Sequence, residues 1–119
     1  FLGLQHAAVE ALGAGPDWFR AQNRIYVERR EEARKILTLL GCSWSDQQSG
    51  LFLWAKAPAQ EQDVEKWLDR ILYGAGVFLT PGLIFGEAGR SYVRISLCSP
   101  VEKLREAYSR IENWMKHGG

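Results

Sequence analysis

The chain has no long hydrophobic run, no excess of either charge, and almost no cysteine or histidine, and each shortage removes a class of function. Its apolar runs span only a few residues, short of the roughly 20 that a membrane-crossing helix needs. No stretch reads as a charged, then hydrophobic, then small-residue leader, so neither a membrane span nor a signal peptide is expected. Fifteen basic residues against 14 acidic ones give a net charge of +1 with the two signs mixed throughout. No basic patch marks nucleic acid or an anionic membrane as a partner. Cys42 and Cys98 lack the paired spacing of a zinc site and read as free thiols of a reducing compartment, with a single disulfide as the alternative. The expected location is therefore cytoplasmic. His6 and His117 lie near opposite ends without a ligand-like companion at helical spacing, so no metal is expected. There is no Walker-type phosphate loop, no His-Glu-x-x-His, no Cys-x-x-Cys and no Ser-His-Asp set. Paired acids such as Glu31-Glu32 fit a solvated helix face better than acid-base work, and no residue is assigned a catalytic role.

What remains is a chain of 119 residues, 46% hydrophobic, enough for one domain over 1–119 with a sizeable core. It opens on Phe1 rather than methionine, and a short helix-like run from Gln5 to Leu12 follows. The expectation is a piece cut from a longer protein. A long amphipathic helix is predicted from Pro16, a favoured first residue, to Gly41, a favoured stop. Its apolar stripe is Trp18, Ile25, Tyr26, Ala33, Ile36, Leu37 and Leu40, and charges from Arg20 to Lys35 fill the other arc. Leu51 to Lys56 reads as a strand after a turn at Ser45–Gly50. Val64, Trp67, Leu68, Ile71 and Leu72 mark a helix from about Gln62 to Tyr73, closed by Gly74 and Gly76. Val77 to Leu79 reads as a short strand stopped at Thr80-Pro81-Gly82. The last helix is predicted from a capping box, with Ser99 as N-cap, Pro100 first and Glu102 third, through Val101, Leu104, Tyr108, Ile111 and Met115. This order folds most simply as α+β, a small, mainly antiparallel sheet of about three strands with helices on one face.

One residue stands out. In the strand Tyr92 to Cys98, Val93, Ile95 and Leu97 point to one face, whereas Tyr92, Arg94, Ser96 and Cys98 point to the other. Arg94 therefore sits mid-strand beside small or hydrogen-bonding groups, where it either holds an anionic ligand or pairs with a nearby glutamate. The loop Leu83-Ile84-Phe85 is unusually apolar for a connection and is expected to pack on core, ligand or another domain. Five tryptophans, Trp18, Trp44, Trp54, Trp67 and Trp114, serve either the core or an interface.

Gly50-Leu51-Phe52-Leu53-Trp54, then Gly76-Val77-Phe78-Leu79-Thr80-Pro81-Gly82, Phe85-Gly86 and Tyr92-Val93-Arg94-Ile95-Ser96-Leu97 resemble, in order and spacing, the class I/II pyridoxal-phosphate-dependent aminotransferases of fold type I. Each segment alone is weak, but the collinear set is specific and covers about Gln5 to Trp114, including a long helix with Tyr26-Val27-Glu28-Arg29-Arg30. The resemblance implies the carboxyl-terminal small domain, with residues 1–15 a remnant of the linker to the large domain. It implies that Arg94 grips the substrate α-carboxylate and that Phe85 borders the substrate pocket. The parent would move an amino group between an amino acid and a 2-oxo acid through pyridoxal phosphate, as a homodimer. The family's cofactor-bearing lysine commonly follows a serine or threonine. None of Lys35, Lys56, Lys66, Lys103 and Lys116 does, so this piece is expected to bind no cofactor and to be inactive alone. A non-catalytic α+β domain that binds an amino-acid effector, or an interaction module displaying tryptophans, are the competing readings.

Overall fold

The computed structural model describes residues 1–118. Helix α2, Pro16–Leu39, begins with proline in its first turn after an extended Gly15, where the missing N–H costs nothing. It stops in a double turn: the N–H of Gly41, at φ 72°, donates to Thr38 O at 3.0 Å, and that of Cys42 donates to Leu37 O at 2.9 Å. That pair of bonds satisfies the last carbonyls, and glycine supplies the left-handed residue it needs. Helix α1, Leu2–Leu12, precedes it. Helix α3, Val64–Ala75, is capped by Asp63, whose carboxylate accepts from the N–H of Lys66 at 3.1 Å, and closes on Gly76 at φ 67°. Helix α4 is Val101–Lys116.

Four antiparallel strands lie in the order β1-β2-β4-β3: β1 Ser43–Trp44, β2 Phe52–Lys56, β3 Thr80–Pro81 and β4 Tyr92–Ser96. Leu53, Ala55, Val93, Ile95 and Leu97 form the buried face, against Ala33, Ile36 and Leu37 of α2, Trp67, Leu68 and Ile71 of α3, and Leu104 and Ile111 of α4. Truncating one of the fully buried leucines or isoleucines to alanine would cost about 2–5 kcal/mol. Glu32 of α2 is buried between charges, accepting from Lys35 Nζ at 2.9 Å and Arg105 Nε at 3.2 Å, and so ties α2 to α4.

The α+β reading stands, with one strand more than counted, the two-residue β1. Four details differ. The paired residues are Thr80–Pro81, opposite Arg94 and Val93, rather than Val77–Leu79, which precede the strand with Val77 and Leu79 buried. Pro81 is tolerated because β3 is an edge strand, where a missing N–H is harmless. Ser99 makes no cap; Pro100 holds the N-cap position without a side-chain bond, since the chain enters α4 in extended form. Gly74 lies inside α3 rather than closing it, and a side chain there would collide with the Trp114 ring. The apolar stripe of α2 is buried only in its second half: Trp18, Phe19, Ile25 and Val27 are exposed, and α1 buries nothing. The radius of gyration, 17.0 Å, accordingly exceeds the roughly 13.5 Å of a compact chain this long.

Candidate functional site

The sheet's other face bears the alternate residues of β2 and β4. The register sets Trp54 of β2 opposite Arg94 of β4, Thr80 of β3 opposite Arg94 from the other side, Phe52 opposite Ser96 and Lys56 opposite Tyr92. Directly opposed residues share a face, so Phe52, Trp54, Lys56, Thr80, Tyr92, Arg94 and Ser96 share one face, with Arg94 near its centre and Lys56 at its end. Phe85 reaches it from a 3₁₀ turn, Gly82–Phe85, that follows β3.

Two rings enclose the guanidinium. Arg94 Cζ lies 4.3 Å from the Phe52 centroid and 4.4 Å from that of Phe85, which makes two cation–π contacts. Behind them Trp54 stacks on Tyr92 at 5.4 Å and 15°, and meets Phe85 edge-on at 5.9 Å and 68°. The turn lies this close because Gly82 and Gly89 have no side chains: a Cβ on Gly82 would strike the Gly89 carbonyl and lie 2.8 Å from the Trp54 ring.

Arg94 makes no ion pair among the described residues, and its buried Nε has no hydrogen-bond partner. No glutamate pairs with Arg94 among the described residues; Glu87, on the 3₁₀ segment before β4, is engaged by Arg90 at 2.8 Å. A buried donor without an acceptor is costly, and a half-buried guanidinium walled by rings offers its N–H edges to a planar anion with two oxygens.

The sequence singled out Arg94 and Phe85, and the structure brings them together, although Phe85, like Ile84 of the same apolar turn, is more than half exposed. Phe52 was missed as a wall, although strand alternation already put it on the face of Trp54. Cys98 lies beyond the end of β4 and is exposed. Cys42 is buried, and burial pushes its thiol up to about 12. No group of His, Cys, Asp and Glu among the described residues could hold a metal, and no described helix is long and apolar enough to cross a membrane.

Fold and site together define a small α+β domain with an unpaired arginine on one sheet face. The family described as aminotransferase class I and II matches residues 2–111. An LL-diaminopimelate aminotransferase of Nitratidesulfovibrio vulgaris is 36% identical over 113 residues, covering 95% of this chain and 29% of that protein. Transaminase BacF of Bacillus subtilis is also 36% identical, over 94% of this chain and 28% of its own. The apo structure of BacF superposes with a TM-score of 0.78 at 36% identity, over 93% of this chain and 30% of that one. An aromatic aminotransferase of Pyrococcus horikoshii gives 0.78 at 30% identity, over 95% and 31%. This chain belongs to the class I and II aminotransferase family, and spans under a third of the length of these relatives.

Aminotransferases use pyridoxal phosphate, whose chemistry needs a lysine amine and an acidic partner for the ring nitrogen. Lys35, Lys66, Lys103 and Lys116 are exposed and each holds a carboxylate three or four residues away; Lys56 is exposed at the end of β2. The surroundings of Arg94 are aromatic and without a carboxylate. The recorded contacts of the Arg94 guanidinium are with aromatic rings, and its N–H donors match a carboxylate in chemistry.

Proposed function

We propose that this chain is the carboxyl-terminal, substrate-binding domain of an aminotransferase, and that Arg94 grips the α-carboxylate of the amino acid and of the 2-oxo acid. The observation that carries this reading is Arg94 itself, half-buried beside two aromatic rings and, unlike Arg29, Arg30 and Arg34, without any ion pair or side-chain hydrogen bond among the described residues. A guanidinium fork bonds both carboxylate oxygens in one plane and so fixes the substrate's orientation. The flanking rings add cation–π contacts to the guanidinium. Phe85, at 4.4 Å, forms the pocket wall.

Pyridoxal phosphate supplies the electron sink of the amino-group exchange when bound in the whole protein. In this reading the cofactor and its lysine reside in a larger domain of the same polypeptide, to which residues 1–15 connect. The piece alone is inactive, and the whole protein is a cytoplasmic homodimer. The exposed apolar residues of α1 and of the first half of α2 fit contact with that larger domain.

Two observations test the proposal. The parent gene is expected to encode a Ser-Lys or Thr-Lys pair a short way upstream of the codon for Phe1; its absence would favour a non-catalytic binder. In the full-length protein, Arg94→Ala is expected to weaken turnover of an amino acid far more than that of the matching amine without a carboxylate. Equal losses on both would refute the assigned role.

A further inference from the structure

Gln48 lies in the loop between β1 and β2, outside every element that bears the site. Strand β1 ends at Trp44, opposite Ala55, so Trp54 has no strand partner on that side. The Gln48 side chain takes the vacant place. Its Oε1 accepts from the Trp54 N–H at 2.7 Å and its Nε2 donates to Trp54 O at 2.7 Å, with a second donation to Ser45 O at 3.2 Å. One amide thus reproduces both rungs of a ladder for a single residue, and satisfies two part-buried backbone groups that would otherwise lack partners.

Trp54 is the residue through which this reaches the site. It stands opposite Arg94 in the register. Its ring is stacked on Tyr92, set edge-on to Phe85, and abuts Gly82 at the start of the turn that carries Phe85. Where Trp54 sits therefore decides how closely Phe85 closes over the guanidinium. We propose that Gln48 is a positioning residue: by clamping the Trp54 backbone it holds the Trp54–Phe85 wall against Arg94, and so keeps the guanidinium enclosed. Gln48 touches neither Arg94 nor any ligand of it. The inference rests on the reading of Arg94 as the ligand-binding group.

The test is site-resolved modification of the full-length protein by phenylglyoxal, an arginine reagent, followed by mass spectrometry. Gln48→Ala is expected to raise the modification rate at Arg94 about fivefold, the scale set by loss of two neutral hydrogen bonds shared with local mobility. Arg29, whose guanidinium donates to Leu97 O at 3.1 Å, is expected to keep its wild-type rate. Gln48→Glu, which keeps the acceptor for the Trp54 N–H and loses the donor, is expected to give a smaller rise, and Trp54→Ala a rise at least as large as Gln48→Ala. An unchanged rate at Arg94 in Gln48→Ala would overturn the proposal. So would an equal rise at Arg29 and Arg94, which is the mark of general loosening. The reagent reads enclosure rather than carboxylate binding, so this result is independent of whether Arg94→Ala loses turnover.

Discussion

Replacing Arg94 by lysine keeps the charge and removes the fork, which isolates what the guanidinium geometry does. In the structure the group is half-buried, lies against Phe52 and Phe85 at 4.3 and 4.4 Å, and has an unpartnered Nε. A charge-assisted hydrogen bond contributes about 1.5–3 kcal/mol, and an ammonium retains one of the two that a bidentate pair makes. The two ring contacts, at about 0.5–1 kcal/mol each where exposed, survive in part because lysine also binds ring faces. A net loss of about 2–3 kcal/mol follows, or roughly 30- to 150-fold in kcat/KM. The assay is steady-state kinetics of the full-length enzyme with the amino acid and the 2-oxo acid varied in turn. Both should lose by a similar factor, since one group would hold both carboxylates. Unchanged kinetics, or a loss on only one substrate, would refute the reasoning.

Phe85→Ala opens one side of the guanidinium and is expected to raise KM for both substrates about three- to tenfold; unaltered KM values and substrate preference would count against a pocket-wall role. The Lys35 hydrogen bond, helped by Arg105, holds the Glu32 carboxyl below the ordinary glutamate range against the opposing effect of burial. A lowered folded-state pKa means that the stabilisation is present above the unfolded value and lost as pH falls through the folded one. Glu32→Gln is thus expected to cost about 1–2 kcal/mol in urea unfolding near pH 7, with the gap from wild type closing as the pH falls below the ordinary glutamate range; a gap independent of pH would contradict it. Iodoacetamide at mildly alkaline pH is expected to label exposed Cys98 and to leave buried Cys42, with its thiol at about 12, unmodified in the folded protein. Equal labelling of both would show that the Cys42 region opens.

The long periodic elements were legible because their pattern is the cause of their fold. Ile36, Leu37 and Ala33 on α2, Trp67, Leu68 and Ile71 on α3, and the alternation of β4 each recur at the period that buries them. The two-residue strands β1 and β3 have no period to read. Val77 to Leu79 looked strand-like because two of its residues are buried, yet backbone pairing begins only at Thr80. Trp18 and Ile25 obey the α2 stripe and still face outward, because periodicity marks an apolar face without saying what covers it. Arg94 was legible as a cation misplaced in an apolar strand. Phe52 and Gln48 were not, since their places depend on the β2–β4 register and on the path of a loop, which are tertiary facts.

The most direct measurement of the central claim is a crystal structure of the full-length protein with an amino acid or 2-oxo acid substrate bound. The account predicts both α-carboxylate oxygens in the guanidinium plane of Arg94, each at about 2.7–2.9 Å from a nitrogen, with Phe52 and Phe85 still flanking it. A substrate carboxylate held elsewhere, with Arg94 left unpaired or bonded to a protein acid, would contradict it.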